Sequence, residues 1–493
     1  MNEPETIILV SVDDLRHDCF GFYEDHRWPE RYGADAFIET PTFDGVAETG
    51  RQFRYGVSTA SHTPPTHASM FTGAYPKEHG VKTFFTELNE NYETLASVLS
   101  EEGYSTHAWI ENIALDMLDI TRGFDEVECP FRNPDANLFE FIDDRVGEGK
   151  TFLFIHLFDV HKPYLYTTGG TERDQYNEDY LETVDAVVGD VCDVTSLVDE
   201  ARQEARSVVS GYEELSEPLR EYGHYRSLDY LLRKRLEERL GEDRFEYLVR
   251  LYVRGVSEFD RGRFSDLVET LKRAVPPNYL TVVTADHGET VCEAFDRKDL
   301  MNGPNVSEGA VRVPFIVDTD HPAFDGFAAD GPIAETASHV DLLPTVAAVV
   351  GTGDEPATSG ESLLDVVTGT VDDRFIFHET WYGPEGADFF GNYELDTGVG
   401  GLSEVGVRSH PEKLVFSYGI TGNPKRAVYN IETDPLEETN RYDTGFADDL
   451  ERELESYLHG VDRQIEAQSQ SMSEDEHSAI KQQLKALGYL DES

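Results

Sequence analysis

Thr6-Ile7-Ile8-Leu9-Val10-Ser11-Val12 runs straight into two carboxylates, Asp13-Asp14, and that junction decides the fold. Seven residues rich in aliphatic and β-branched side chains are short for a buried helix and suit a buried strand of a largely parallel sheet. Three further runs read the same way: Ser105–Ile110, Thr151–Leu157 and Tyr279–Ala285. Segments with helical period lie between them, among them Glu93–Glu102 and Glu246–Ala274. Strands alternating with helices predict an α/β domain, in which ligands gather beyond the carboxyl ends of the strands. The polar residues fall at those ends. Tyr279–Ala285 stops at Asp286, and Thr151–Leu157 leads into Asp159 and His161.

The chain has 493 residues, more than the ~150 to 250 at which one core is usually full. Residues 1–370 are expected to form the large α/β domain. Residues 371–447 change texture, with short alternating runs at Glu404–Arg408, Lys413–Tyr418 and Ala427–Asn430 that predict a small antiparallel sheet. Residues 448–493 read as an amphipathic helical tail. The stretch from about 167 to 245 is helix-prone and crowded with Glu, Asp and Arg. It reads either as a helical insertion over one edge of the site or as a solvated surface excursion.

Acidic residues number 97 against 41 basic ones, a formal charge of −56. Such a surface repels nucleic acid and anionic lipid, which removes both as expected partners. The acids are spread along the whole chain, so they read as adaptation to high salt, where self-repulsion is screened within a few ångströms. No run reaches the roughly 18 to 20 apolar residues of a membrane span. The first residues are acidic and lack the basic start and small-residue cleavage site of a secretory signal, so a cytoplasmic protein is expected. Four cysteines without a Cys-x-x-Cys pair fit neither a disulfide framework nor a zinc ribbon.

Three stretches carry chemistry. Asp13 and Asp14, adjacent at a strand end, can turn toward one hard divalent cation; alone, the pair also fits an ordinary loop. Thr284-Ala285-Asp286-His287-Gly288-Glu289 offers two more metal-ligand types, with Gly288 expected to allow a tight turn; alone, it also fits a capped helix start. Ser61-His62-Thr63-Pro64-Pro65-Thr66-His67-Ala68-Ser69-Met70-Phe71-Thr72-Gly73 reads as a helix start, where free amides and the dipole favour an anion; alone, it also fits a proline turn before a surface helix.

Taken together these motifs resemble the sulfatase family of the alkaline phosphatase superfamily. Its signature Cys-x-Pro-x-Arg-Ala-Ser-Leu-Leu-Thr-Gly is matched by Thr63-x-Pro65-x-His67-Ala68-Ser69-Met70-Phe71-Thr72-Gly73. Thr40-Pro41-Thr42-Phe43-Asp44 through Gly50-Arg51-Gln52-Phe53 is similar to another family stretch. So are Arg122-Gly123-Phe124-Asp125, His161-Lys162-Pro163-Tyr164, Arg312-Val313-Pro314, Val340-Asp341-Leu342-Leu343-Pro344-Thr345, and Tyr429-Asn430 to Asp434-Pro435. The similarity runs in order over roughly residues 6 to 440.

The resemblance implies an alkaline-phosphatase-like α/β fold: a large mainly parallel sheet between helices, with a small C-terminal antiparallel sheet. It implies one divalent ion, Ca²⁺, Mg²⁺ or Mn²⁺, on Asp13, Asp14, Asp286 and His287, with the Thr63 oxygen completing the shell. His161 falls where the family places a histidine near the ester oxygens, as a general acid; a buried structural histidine is the other reading. His156 lies inside an apolar run and reads as core.

Three departures matter. Thr63 occupies the cysteine position, so formylglycine cannot be made there. His67 replaces the arginine, with a catalytic role expected in its stead. The family's Gly-Lys-Trp-His-Leu-Gly segment is absent, leaving Asn112, with Lys162, as the expected substrate contacts. A second metal is not expected, since no additional Asp-x-x-x-His spacing is found. The expectation is a metal-dependent hydrolase or transferase acting on sulfate or phosphate esters of a glycan or other small anionic metabolite, with Thr63 as nucleophile. Two alternatives stand beside it: a true sulfatase that works without formylglycine, and a catalytically inactive binding protein that keeps the fold.

Overall fold

The computed structural model describes residues 3–21, 38–133, 135–147, 149–162, 244–290, 305–327, 331–353, 356–371, 374–381, 401–418, 424–442 and 447–461, with Tyr23 and scattered positions between 185 and 235. The expected helical insertion at 167–245 and the tail beyond 461 therefore lie largely outside the described residues.

Four parallel strands side by side carry the site. They are β1 (Thr6–Val12), β3 (Ser105–Trp109), β5 (Thr151–Leu157) and β6 (Tyr279–Ala285), the four apolar runs read from the sequence. Together with β2 (Arg51–Val57), β4 (Glu126–Glu128), β7 (Arg312–Val313), β8 (Phe315–Thr319) and β9 (Ile333–Ser338) they form a nine-stranded sheet. Its order is β4-β3-β5-β1-β6-β8-β2-β7, with β9 beside β2. Strand β1 is central and pairs in parallel with β5 and β6. Beyond β6 the pairing turns antiparallel at β8.

Both faces of β1 are buried, which is why it reads as a continuous apolar run. Ile8, Val10 and Val12 face a core shared with the helices Pro41–Thr49, Leu138–Arg145, Arg244–Phe259 and Ser265–Ala274. Ile7 and Leu9 face the opposite core, shared with the helices Thr63–Thr72, Leu95–Glu101 and Leu342–Val350. The stretch Glu246–Ala274, read as one helix, is interrupted by a π-turn at Asp260–Phe264. There Asp260 accepts from Thr42 and Phe43 N–H, satisfying the amides that begin the Pro41–Thr49 helix.

A second sheet of four antiparallel strands runs β10 (Ile376–Trp381), β11 (Leu402–Ser409), β12 (Glu412–Tyr418), β13 (Pro424–Asn430). The helix Asp448–Leu458 packs on it through Leu450 and Leu454. The sequence reading found three of these strands and missed β10. That strand also touches the large sheet's loops: Ala60 and Glu379 form a parallel bridge, and Glu379 N–H donates to Thr59 O at 2.8 Å. Among the described residues, no helix is long and apolar enough to cross a membrane.

Candidate active site

At the carboxyl end of β1 the chain must present two consecutive side chains to one side. Asp14 achieves this with φ +60°, a left-handed conformation that aspartate tolerates better than most residues. Tyr252 holds the turn, its hydroxyl donating to Asp14 O at 2.8 Å and accepting from Arg16 N–H at 3.0 Å. At the end of β6, Asp286 Oδ1 accepts from Asp14 N–H (3.2 Å) and His287 N–H (2.7 Å), which ties the two strand ends together. Gly288 does not supply a positive φ. A Cβ there would lie 2.1 Å from Gly309 O, so close backbone approach is what requires glycine.

Thr63 is the first residue of its helix and His62 the N-cap. The Thr63 hydroxyl donates to Asp13 Oδ2 at 3.1 Å and lies 3.4 Å from His287 Nε2. His287 Nδ1 is 3.1 Å from Asp14 Oδ1, and its Nε2 is 3.4 Å from Asp286 Oδ2. Asp13, Asp14, Asp286, His287 and Thr63 thus converge at the ends of the two strands and the start of the helix.

Whether a cation fits can be judged from the carboxylates themselves. Asp13, Asp14 and Asp286 are fully buried, and Asp13 Oδ1, Asp14 Oδ2 and Asp286 Oδ2 accept no hydrogen bond. Buried carboxylate oxygens without donors are costly, and a divalent ion removes that cost. Burial and the neighbouring Asp14 push the Asp13 carboxyl well above the usual range. Burial and Asp13 push Asp286 up to about 7. Burial disfavours the charged His287, but Asp286, Asp14 and Asp13 outweigh it and raise its ring to about 10. The cluster, in short, takes positive charge from whatever can supply it.

The other expected residues fall at varied distances. His161 is buried and stacks on Phe158, ring centroids 4.1 Å apart. Its Nδ1–H donates to Lys162 O (2.7 Å), and its Nε2 lies 3.8 Å from Asp14 Oδ2. It therefore stands on the Asp14 side of the cluster, and its ligand atom groups with those of Asp13 and Asp14. Lys162 is buried and paired with Glu289 Oε2 at 2.5 Å, so part of its charge is already used. Asn112 is buried, and its Oδ1 accepts from Ala114 N–H at 3.1 Å. His67 grips the backbone beneath Thr63, donating from Nδ1 to Thr63 O at 2.8 Å, while its Nε2 meets Ser11 Oγ at 3.0 Å.

Sequence reasoning missed three contributors. Glu289, two residues after His287, stood in the quoted stretch but was given no role. Arg263, from the π-turn, locks Asp159 at the end of β5, with Nη1–Oδ2 at 2.7 Å, and also pairs with Glu111. His156 is buried as expected for core, but it sits beside Ser11 in register, its Nε2 3.3 Å from Asp13 Oδ2. Strand parity was the available signal. Phe152, Phe154 and His156 share the face on which Ile7, Leu9 and Ser11 lie.

The sulfatase family model matches residues 5–352. The chain belongs to the sulfatase family. An arylsulfatase of Clostridium perfringens is 34% identical over 101 residues, 20% of this chain and 19% of that protein, so the match spans about a fifth of the relative's length. An endo-4-O-sulfatase of Bacteroides thetaiotaomicron is 24% identical over 377 residues, 71% of this chain and 70% of that one. Among solved structures, one in complex with its substrate D-glucosamine-2-N,6-O-disulfate superposes with a TM-score of 0.63 at 16% identity, covering 93% of this chain and 97% of that one. The phosphonate monoester hydrolase of Agrobacterium radiobacter gives 0.59 at 14% identity, covering 93% and 95%. At such identities the structural likeness is one of fold: a large mostly parallel sheet with a separate small antiparallel one.

Proposed function

We propose that this chain cleaves sulfate or phosphate esters with Thr63 Oγ as nucleophile, and that Asp13, Asp14, Asp286 and His287 hold one divalent cation beside it. The observation that carries this reading is the buried Thr63 hydroxyl, 3.1 Å from Asp13 Oδ2 and at the first turn of a helix. The bound ion supplies Lewis-acid stabilisation of negative charge on the nucleophile and ester oxygens. Thr63 Oγ forms a bond to sulfur or phosphorus and its proton passes to Asp13. The bond to the ester oxygen breaks, and His161 Nε2 gives that oxygen a proton. Water then attacks the sulfur or phosphorus and loses a proton to His161. Thr63 departs and recovers its proton from Asp13.

Threonine has one hydroxyl, so release of the intermediate depends on water, or an acceptor hydroxyl, reaching the sulfur or phosphorus. Likeness to the structure named with a sulfated glucosamine supports a glycan or other small anionic metabolite as the bearer of the ester. The test is a panel of chromogenic sulfate, phosphate monoester and phosphodiester substrates, run with Mn²⁺ in molar salt. Thr63→Ser retains measurable turnover, because the attacking oxygen survives. Thr63→Ala loses many powers of ten, as removal of a nucleophile does. Wild-type activity in Thr63→Ala would overturn the mechanism, since the attacking oxygen would have to come from water. A wild type that binds the panel without turning it over would favour the binding-protein alternative.

A further inference from the structure

We propose a second cation site directly behind the first, built from His67, His156 and Asp286 and suited to Zn²⁺ or a similar borderline metal. The inference does not depend on Thr63 being the nucleophile. One ligand atom from each of the three residues lies within 4.8 Å of the other two, and all three residues are fully buried. The two rings meet edge to face, with centroids 4.9 Å apart.

The hydrogen bonding of the three groups points the same way. A backbone carbonyl only accepts, so His67 Nδ1 carries the hydrogen given to Thr63 O, and its Nε2 presents a lone pair. That is the form in which imidazole binds metal, with the opposite nitrogen oriented by a carbonyl. Neither nitrogen of His156 makes a hydrogen bond, although the ring is fully buried and its Nε2 lies 3.3 Å from Asp13 Oδ2. Asp286 uses Oδ1 on two backbone amides, while Oδ2 accepts no hydrogen bond. Buried polar atoms that make no hydrogen bond are rare enough to require an explanation, and a bound ion is one.

Two imidazoles and a carboxylate select for softer ions than the three-carboxylate site does. Three protein ligands with one further position is a common arrangement for Zn²⁺. Ser11 Oγ, 3.0 Å from His67 Nε2, is placed to approach that position once the ion displaces its hydrogen from the ring. Asp286 is common to both ligand groups, so the two ions would share one carboxylate. Three buried carboxylates also hold more negative charge than a single divalent ion cancels.

The test is a metal titration of the full chain, stripped with chelator and kept in molar KCl. Zn²⁺, read by elemental analysis, and Co²⁺, read by its visible ligand-field bands, are the probes. Two equivalents are expected in the wild type and one in His156→Gln and in His67→Asn, with loss of the histidine-dependent Co²⁺ band. Asp14→Ala is expected to lose the other equivalent and keep that band. One equivalent in the wild type overturns the proposal, as do two equivalents that persist in both histidine variants. The wild-type count decides even if a variant fails to fold. Failure of the Thr63 mechanism would leave the count unchanged.

Discussion

Asp286 and Glu308 are both carboxylates buried to within 1% of full exclusion, and the molecule treats them in opposite ways. Glu308 is surrounded by cations from the small sheet. Arg408 pairs with it, Lys413 Nζ lies 2.8 Å from its Oε1, and Lys413 also reaches Glu437 at 2.8 Å. Arg408 Nε donates to His378 Nε2 at 2.9 Å, and His378 Nδ1–H donates to Ser58 O at 2.6 Å. Charge from β11 and β12 thus ties the small sheet to the loop after β2. Among the described residues, Asp286, Asp13 and Asp14 meet histidine rings, backbone amides, the neutral Thr63 hydroxyl and the more distant charge of Lys162. A buried acid matched by the chain's own cations holds structure together, whereas one left short of them waits for a cation from solution.

The largest effect should come from removing what the unmatched cluster needs. Asp286→Ala, or dialysis of the wild type against chelator, is expected to lower turnover by several powers of ten. Elemental analysis should show the loss of bound divalent ion, and full activity after its removal would break the contrast between the two clusters. Next in size is the matched cluster. Glu308→Gln leaves Arg408 and Lys413 buried without their partner and should cost about 3–5 kcal/mol in denaturant unfolding, with little effect on metal content. A cost near zero would mean that the network does not join the sheets.

The pH dependence sharpens the comparison further. Burial alone would raise the Glu308 carboxyl, but Arg408 and Lys413 hold it well below its ordinary value of 4.5. A carboxyl with a depressed folded pKa contributes stability above its unfolded value and loses it as pH falls toward the folded one. Acid unfolding below about pH 4.5 should therefore be shallower in Glu308→Gln than in wild type, and equal slopes would remove the assignment. Salt should give the smallest effect. With a net charge of −56, the melting temperature should rise by several degrees between ~0.1 M and molar KCl, as the Debye length falls from about 10 Å to about 3 Å. The rise should be alike in wild type and Glu308→Gln, because buried pairs are little screened.

Much of this was legible because parallel strands buried on both faces are written as unbroken apolar runs. Thr6–Val12, Thr151–Leu157 and Tyr279–Ala285 have the bounds expected of them, and their carboxyl ends deliver Asp13, Asp14 and Asp286 to one place. Other features were not legible, for three physical reasons. His156 is distinguished from core only by strand parity and by what the Thr63–Thr72 helix lays over it, a tertiary fact. The break at Asp260–Phe264 is invisible to periodicity, because Gly262 and its neighbours leave the apolar stripe on either side intact. Strand β10 escaped notice because Ile376-Phe377-His378-Glu379-Thr380-Trp381 buries His378, Glu379 and Thr380. Polar residues with partners from the other sheet do not announce a buried strand.

The bridge between Ala60 and Glu379 has a consequence for anyone wishing to rebuild this protein. Thr380 Oγ1 accepts from Ser61 Oγ at 3.3 Å and stands 3.4 Å from His62 Nδ1, so the residues leading to Thr63 are splinted by the small sheet. A chimera that grafts the C-terminal sheet of a relative onto this chain would exchange the splint as well as the surface. Transplanting the small sheet to alter which molecule is recognised would then also reset the aim of the Thr63 hydroxyl, so β10 belongs with the large sheet when the graft boundary is drawn.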